Sequence, residues 1–82
     1  MKTTAELAFG REIKQAREAL RKSQETLAFE AGIHRTYVSL IERGQKSPTL
    51  TVIVRLARAL NMLPSELIRR VEATLEQVNG SK

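Results

Sequence analysis

The chain holds 82 residues, one domain (1–82) and too few for two separate cores, since a domain this short buries only about 60% of the surface its unfolded form exposes. Its 41% hydrophobic and 28% charged residues exclude a disordered chain, and the absence of Cys excludes disulfides, thiolate zinc sites and cysteine nucleophiles. Fourteen Lys and Arg stand against nine Glu and no Asp, a net charge of +5 that suits nucleic acid or an anionic membrane surface. No apolar run exceeds Val52-Ile53-Val54, far below the ~20 residues of a bilayer span. The start, MKTTAELAFGREIK, has no unbroken apolar stretch and so does not read as a signal peptide. A cytoplasmic protein with no membrane partner is expected.

Phe9, Ile13, Ala16 and Leu20 recur at helical spacing and predict a first helix from about Thr4 to Leu20. Ser23 is a good N-cap, and Leu27, Ala28 and Ala31 share one face of a short second helix. Gly32 stops that helix, because glycine accepts the left-handed backbone that ends helices. A third helix is predicted from His34 or Arg35 to Gly44, followed by the loop Gly44-Gln45-Lys46-Ser47-Pro48. Thr49 caps a fourth helix carrying Leu50, Ile53, Ala57 and Leu60, with Asn61 as its C-terminal cap. Pro64 suits the first position of a fifth helix, about 64–78, where its missing N–H costs nothing. No segment alternates with period two. The class is all-α, a five-helix bundle.

The second and third helices, joined at Ala31-Gly32-Ile33, form a helix-turn-helix candidate spanning about 23–44. On a helical wheel Val38 and Ile41 mark the core side of the third helix. The opposite side holds Thr36, Ser39, Leu40 and Arg43, with Arg35 at its edge, and no acidic residue. Such a small, polar and basic face suits the major groove, where Arg reads guanine and small polar or methyl-bearing groups read other base edges. Leu40 is left open between an outlying core position and contact with a thymine methyl. Phe29 points away from the buried face of the second helix, toward either a neighbouring helix or a protein contact.

The stretch SQETLAFEAGIHRTYVSLIERGQKSPTLTVIVRLARALNMLPSEL resembles the lambda-repressor-like, or Cro/XRE-type, helix-turn-helix domain over roughly Phe9 to Ile68. Its carriers are Ser23-Gln24, Leu27-Ala28, Ala31-Gly32, Ile41-Glu42-Arg43-Gly44, Pro48 and Leu56-Ala57. LAFEAG and HRTYVS are similar to the controller proteins of restriction–modification systems. The resemblance implies that Arg35, Thr36 and Ser39 read bases and that Gln24 meets a phosphate at a helix N-terminus. It also implies that Tyr37, Arg43, Gln45 and Lys46 track the sugar–phosphate backbone or reach toward the groove edge. The wheel agrees for Arg35, Thr36, Ser39 and Arg43, and the basic charge of Lys46 agrees with its place. His34, at the start of the third helix, is expected near a phosphate. The sequence departs from the family at Arg21 and Lys22, where Gly and an apolar residue are usual, so the end of the first helix needs a longer run or a strained cap.

Arg17 lies next to the Ala16–Leu20 face of the first helix and Glu42 beside the core edge of the third, and the resemblance points to an ion pair between them. Leu67, Val71, Leu75 and Val78 form an apolar stripe on the fifth helix. The resemblance places Leu67 and Ile68 at the end of the family core, so both are expected to be buried within one subunit, and Val71, Leu75 and Val78 are expected to form a two-fold dimer interface; the competing reading folds the stripe back on the first helix. The expected function is a dimeric regulator of transcription that binds double-stranded DNA at a palindromic operator, as a restriction–modification controller or phage-type repressor. The other class is an antitoxin-type protein-interaction module on the same fold. His34 is the only histidine and the four glycines are isolated, so no catalytic site, metal, cofactor or small-molecule ligand is expected.

Overall fold

The structure, a computed structural model, describes residues 4–78, with nothing to be said of the Val78 side chain. Five helices occupy the described residues: α1 (Ala5–Ala19), α2 (Gln24–Ala31), α3 (Arg35–Glu42), α4 (Leu50–Ala59) and α5 (Pro64–Val78). Side-chain oxygens hold three of their starts. Thr4 Oγ1 accepts from Leu7 N at 3.0 Å, Ser23 Oγ from Thr26 N at 3.0 Å and Thr49 Oγ1 from Val52 N at 3.2 Å. Left-handed residues just past the last turn close the helices: Gly32 at φ 71°, Gly44 at φ 72° and Asn61 at φ 59°.

α1 is the central strut, packed on α3 along one side and α5 along another, while α2 packs on α3 and α4. Ile13, Leu27, Val38, Ile41, Leu56 and Leu67 are fully enclosed at the centre. Gly10 lets α1 and α3 come this close, because a Cβ there would run into the carbonyl oxygens of Ile41 and Glu42. The seat of α3 therefore depends on a missing side chain in α1. No helix among the described residues is long and apolar enough to cross a membrane.

The expected α5 stripe needs correction. Leu67 is enclosed, but Ile68, expected to be buried beside it, is 44% exposed on the next face of the helix; Val71 is buried, at 7% exposure, and Leu75 is half-buried against the same core. α1 covers this face, so Val71 has almost no area left for a second subunit. The Val78 side chain lies outside the described residues. The same α1–α5 seam holds Glu12, a buried carboxylate whose Oε2 accepts from the Thr74 hydroxyl; no short-range pattern marks it. Phe29 packs on no neighbouring helix. It is 86% exposed, because Leu27, Ala28 and Ala31 turn the opposite face of α2 inward.

The end of α1 adopts the strained cap rather than a longer helix. Leu20 ends the helix and Arg21 takes φ 57°, the left-handed conformation that glycine adopts freely. Lys22 does not act as an apolar staple. Its Nζ donates to Glu30 Oε1 at 2.6 Å and to the Ala59 carbonyl at 2.8 Å, tying the turn to α2 and α4. Arg21 is exposed and its strain is local. Arg21→Gly should therefore raise the unfolding free energy by about 1 kcal/mol, read as a higher urea midpoint at unchanged slope.

Candidate nucleic-acid interface

The interface is built on the turn between α2 and α3. Gly32 N and Ile33 N donate back to the carbonyls of Phe29 and Ala28, at 3.2 and 2.9 Å, and redirect the chain in three residues. His34 then opens α3 with extended backbone and without a side-chain cap bond, so its imidazole stays exposed at the helix start. Val38 and Ile41 anchor α3 in the core at 0% exposure. That anchoring fixes which side of α3 faces outward. Arg35, Thr36 and Arg43 are exposed, and Ser39 and Leu40 are half-buried.

Two shallow grooves meet at Thr36. One is lined by Gln24, Arg35, Thr36 and Ser39, which brings three of the expected base-reading residues beside the expected phosphate contact. The other is lined by Thr36, Tyr37, Leu40, Lys46, Ser47 and Thr49. No acidic residue lines either groove. Arg43 curls back along α3, its Nε donating to the Ser39 carbonyl at 3.4 Å. Gln45 is exposed, and its backbone N–H donates to the Leu40 carbonyl at 2.9 Å, which holds the loop against the helix end. Lys46 follows, with its ammonium 5.9 Å from the centroid of the Tyr37 ring, at the outer range of a cation–π contact.

Arg17 and Glu42 meet behind this surface. Arg17 Nε donates to Glu42 Oε2 at 2.7 Å and Nη2 donates to Oε1 at 3.1 Å, a bidentate pair with side chains only 11% and 3% exposed. Arg17 Nη1 also donates to the Lys22 carbonyl at 2.8 Å. The hydrogen bond to Glu42 raises the Arg17 pKa against the opposing effect of burial, so the guanidinium stays charged. A third partner was not legible in the sequence: Gln24 Nε2 donates to Glu42 Oε1 at 3.0 Å. Gln24 is thus oriented by the buried carboxylate while it lines the groove. No local spacing connects positions 24 and 42, so only their proximity in the fold reveals the bond.

Removing one partner of such a pair leaves the other charge in a site largely shielded from water. Glu42→Ala should lower stability by about 3–5 kcal/mol, measured by urea denaturation. An unchanged midpoint would show that the pair contributes nothing to the fold.

The helix-turn-helix family model matches residues 13–67, the stretch that runs from the middle of α1 into α5. The control protein C.BamHI of Bacillus amyloliquefaciens is 41% identical over 69 residues, covering 83% of this chain and 85% of its own. The crystal structure of the restriction–modification controller C.AhdI of Aeromonas hydrophila superposes with a TM-score of 0.74 at 45% identity, over 76% of this chain and 94% of its own. A third structure is the controller C.Esp1396I, described as a tetramer in complex with its natural 35 base-pair operator. It shares the fold, with a TM-score of 0.81 at 22% identity over 90% of this chain and 97% of its own. The chain belongs to the helix-turn-helix family, Cro/XRE type, and is similar within it to restriction–modification controller proteins.

Proposed function

We propose that this chain is a transcriptional regulator that binds double-stranded DNA sequence-specifically, as a homodimer on a two-fold operator, in the manner of a restriction–modification controller. The observation that carries this reading is the outward face of α3, free of acid and fixed in place by Val38, Ile41 and the buried Arg17–Glu42 pair. Arg35, Thr36, Ser39 and Leu40 read base edges, and Gln24, His34, Tyr37, Arg43, Gln45 and Lys46 meet the sugar–phosphate backbone. The function is recognition, without catalysis, and its place is the cytoplasm. The control proteins among its relatives, C.BamHI and C.AhdI, support the assignment. Selection of duplexes from a random pool tests it, and failure to enrich any two-fold sequence would overturn it.

The contacts should separate by type. Arg35→Ala should lose about 1–3 kcal/mol on the selected operator and relax the preference at one base pair. Lys46→Ala should weaken operator and random DNA alike and make the log–log salt slope shallower by about one. Fluorescence anisotropy titrations at several salt concentrations measure both.

The dimer face we propose follows from the correction above. With Val71 only 7% exposed, the apolar surface that α5 still offers is centred on Ile68, 44% exposed, which lines a groove together with Phe9, Pro48, Ile53 and the exposed edge of Val71. Leu75 contributes only its uncovered part. A two-fold contact here sets two recognition helices about 34 Å apart, one turn of DNA. Ile68→Glu should give a folded monomer in sedimentation with greatly weakened operator binding. A variant that stays dimeric would place the interface elsewhere.

A further inference from the structure

The outward side of α4 is used by neither the grooves on α3 nor the groove at Ile68. Leu50, Thr51, Val54, Arg55 and Arg58 line a groove of about 410 Å³ that shares no residue with any of those three. Leu50, Val54 and Arg58 follow one another at four-residue spacing, and Thr51 and Arg55 form the line beside them. Val52, Leu56 and Ala57 are buried, which fixes the strip outward. Leu50 is 77% exposed and Val54 half-buried, so the floor of the groove is apolar and open to solvent. Arg55 and Arg58 are exposed, and among the described residues the ion pairs belong to Arg17, Lys22 and Arg70 instead. Arg55 extends across the end of α2, its Nη1 3.6 Å from the place a Cβ on Gly32 would occupy. No acidic residue lines the groove.

An apolar floor with two open guanidiniums beside it has the composition of a protein contact, whose centre is apolar and in which arginine is enriched. A phosphate backbone would gain from the arginines but nothing from Leu50 and Val54. A second copy of the chain would need about 20–30 residues a side for a standard contact, and this strip is five residues on one helix. A single helix matches that footprint, because it presents its own residues at the same three- and four-residue spacing. We propose that this strip of α4 receives an amphipathic helix of another protein, its apolar side chains laid on Leu50 and Val54 and its carboxylates on Arg55 and Arg58. The apolar floor supplies most of the affinity, since exposed ion pairs contribute little. The arginines set the sign of charge the partner must carry. The strip is separate from α3 and from Ile68, so the partner and DNA are held at the same time.

A phage-displayed library of helical peptides, randomised along one face, tests this by selection against the full chain, once alone and once saturated with its operator duplex. Both selections should enrich peptides with apolar residues at helical spacing flanked by Glu or Asp. A fluorescein-labelled copy of an enriched peptide should bind about tenfold or more weakly to the double variant Arg55→Gln, Arg58→Gln and to Leu50→Ser, with their helicity by circular dichroism unchanged. Exchanging the acidic residues of the peptide for their amides should weaken its binding to the unaltered chain in the same way. The inference falls if no peptide is enriched, if the enriched ones are neutral or basic, if the duplex abolishes the enrichment, or if the variants bind as well as the unaltered chain. It also falls if the double variant shows a shallower operator salt slope or a changed sedimentation, for then the arginines serve DNA or a second copy. The selection on the chain alone does not depend on DNA binding, so a failure of the operator reading leaves it decisive.

Discussion

The buried pairing of Arg17 with Glu42 is the constraint on which the rest of the molecule depends. It joins α1 to the last turn of α3 by two charge-assisted bonds, at a place largely shielded from water. The guanidinium also takes the Lys22 carbonyl, so the strained turn after α1 hangs on the same group. The carboxylate takes the Gln24 amide, so the start of α2 does too. One ion pair thus fixes the relative positions of three helix ends. A hydrophobic pair of equal volume could hold α1 and α3 together, but it would have no bonds left for Lys22 or Gln24.

Close packing makes the same demand from the other side. The carbonyls of Ile41 and Glu42 abut α1 at Gly10, and Val38 and Ile41 are fully enclosed. α3 therefore has little freedom to rotate about its axis. A helix that reads bases needs this rigidity, because a rotation of one residue step would carry Thr36 and Ser39 away from the groove edge. The turn at Gly32 and the loop pinned by Gly44 and Gln45 extend the rigidity to both ends of α3.

The charge of the chain follows the same division. Lys22 and Glu30 pair with each other on α2's flank, and Arg17 and Glu42 cancel inside. Arg35, Arg43 and Lys46 stay on the outer face of α3 and its loop, where the long-range potential favours a polyanion. The net charge is modest. Its placement is what gives it a use.

The sequence by itself determined the five helices, because each has a local signal: apolar residues at helical spacing, an oxygen-bearing cap, a glycine or asparagine past the last turn, or a proline in the first. It also determined the outward face of α3, since Val38 and Ile41 leave only one side for a ligand. The tertiary structure decided what those signals cannot carry. A stripe such as Leu67–Val71–Leu75 states that one face of α5 is buried but not what buries it; within the chain the core takes in Leu67 and Val71 and leaves Leu75 half-buried. Phe29 and Glu12 run against residue type, an aromatic ring in solvent and a carboxylate in a helix seam. The bond from Gln24 to Glu42 joins residues on two different helices. Periodicity reports on a helix alone, whereas coverage and long-range bonds depend on which neighbour arrives, and that is settled only when the helices pack.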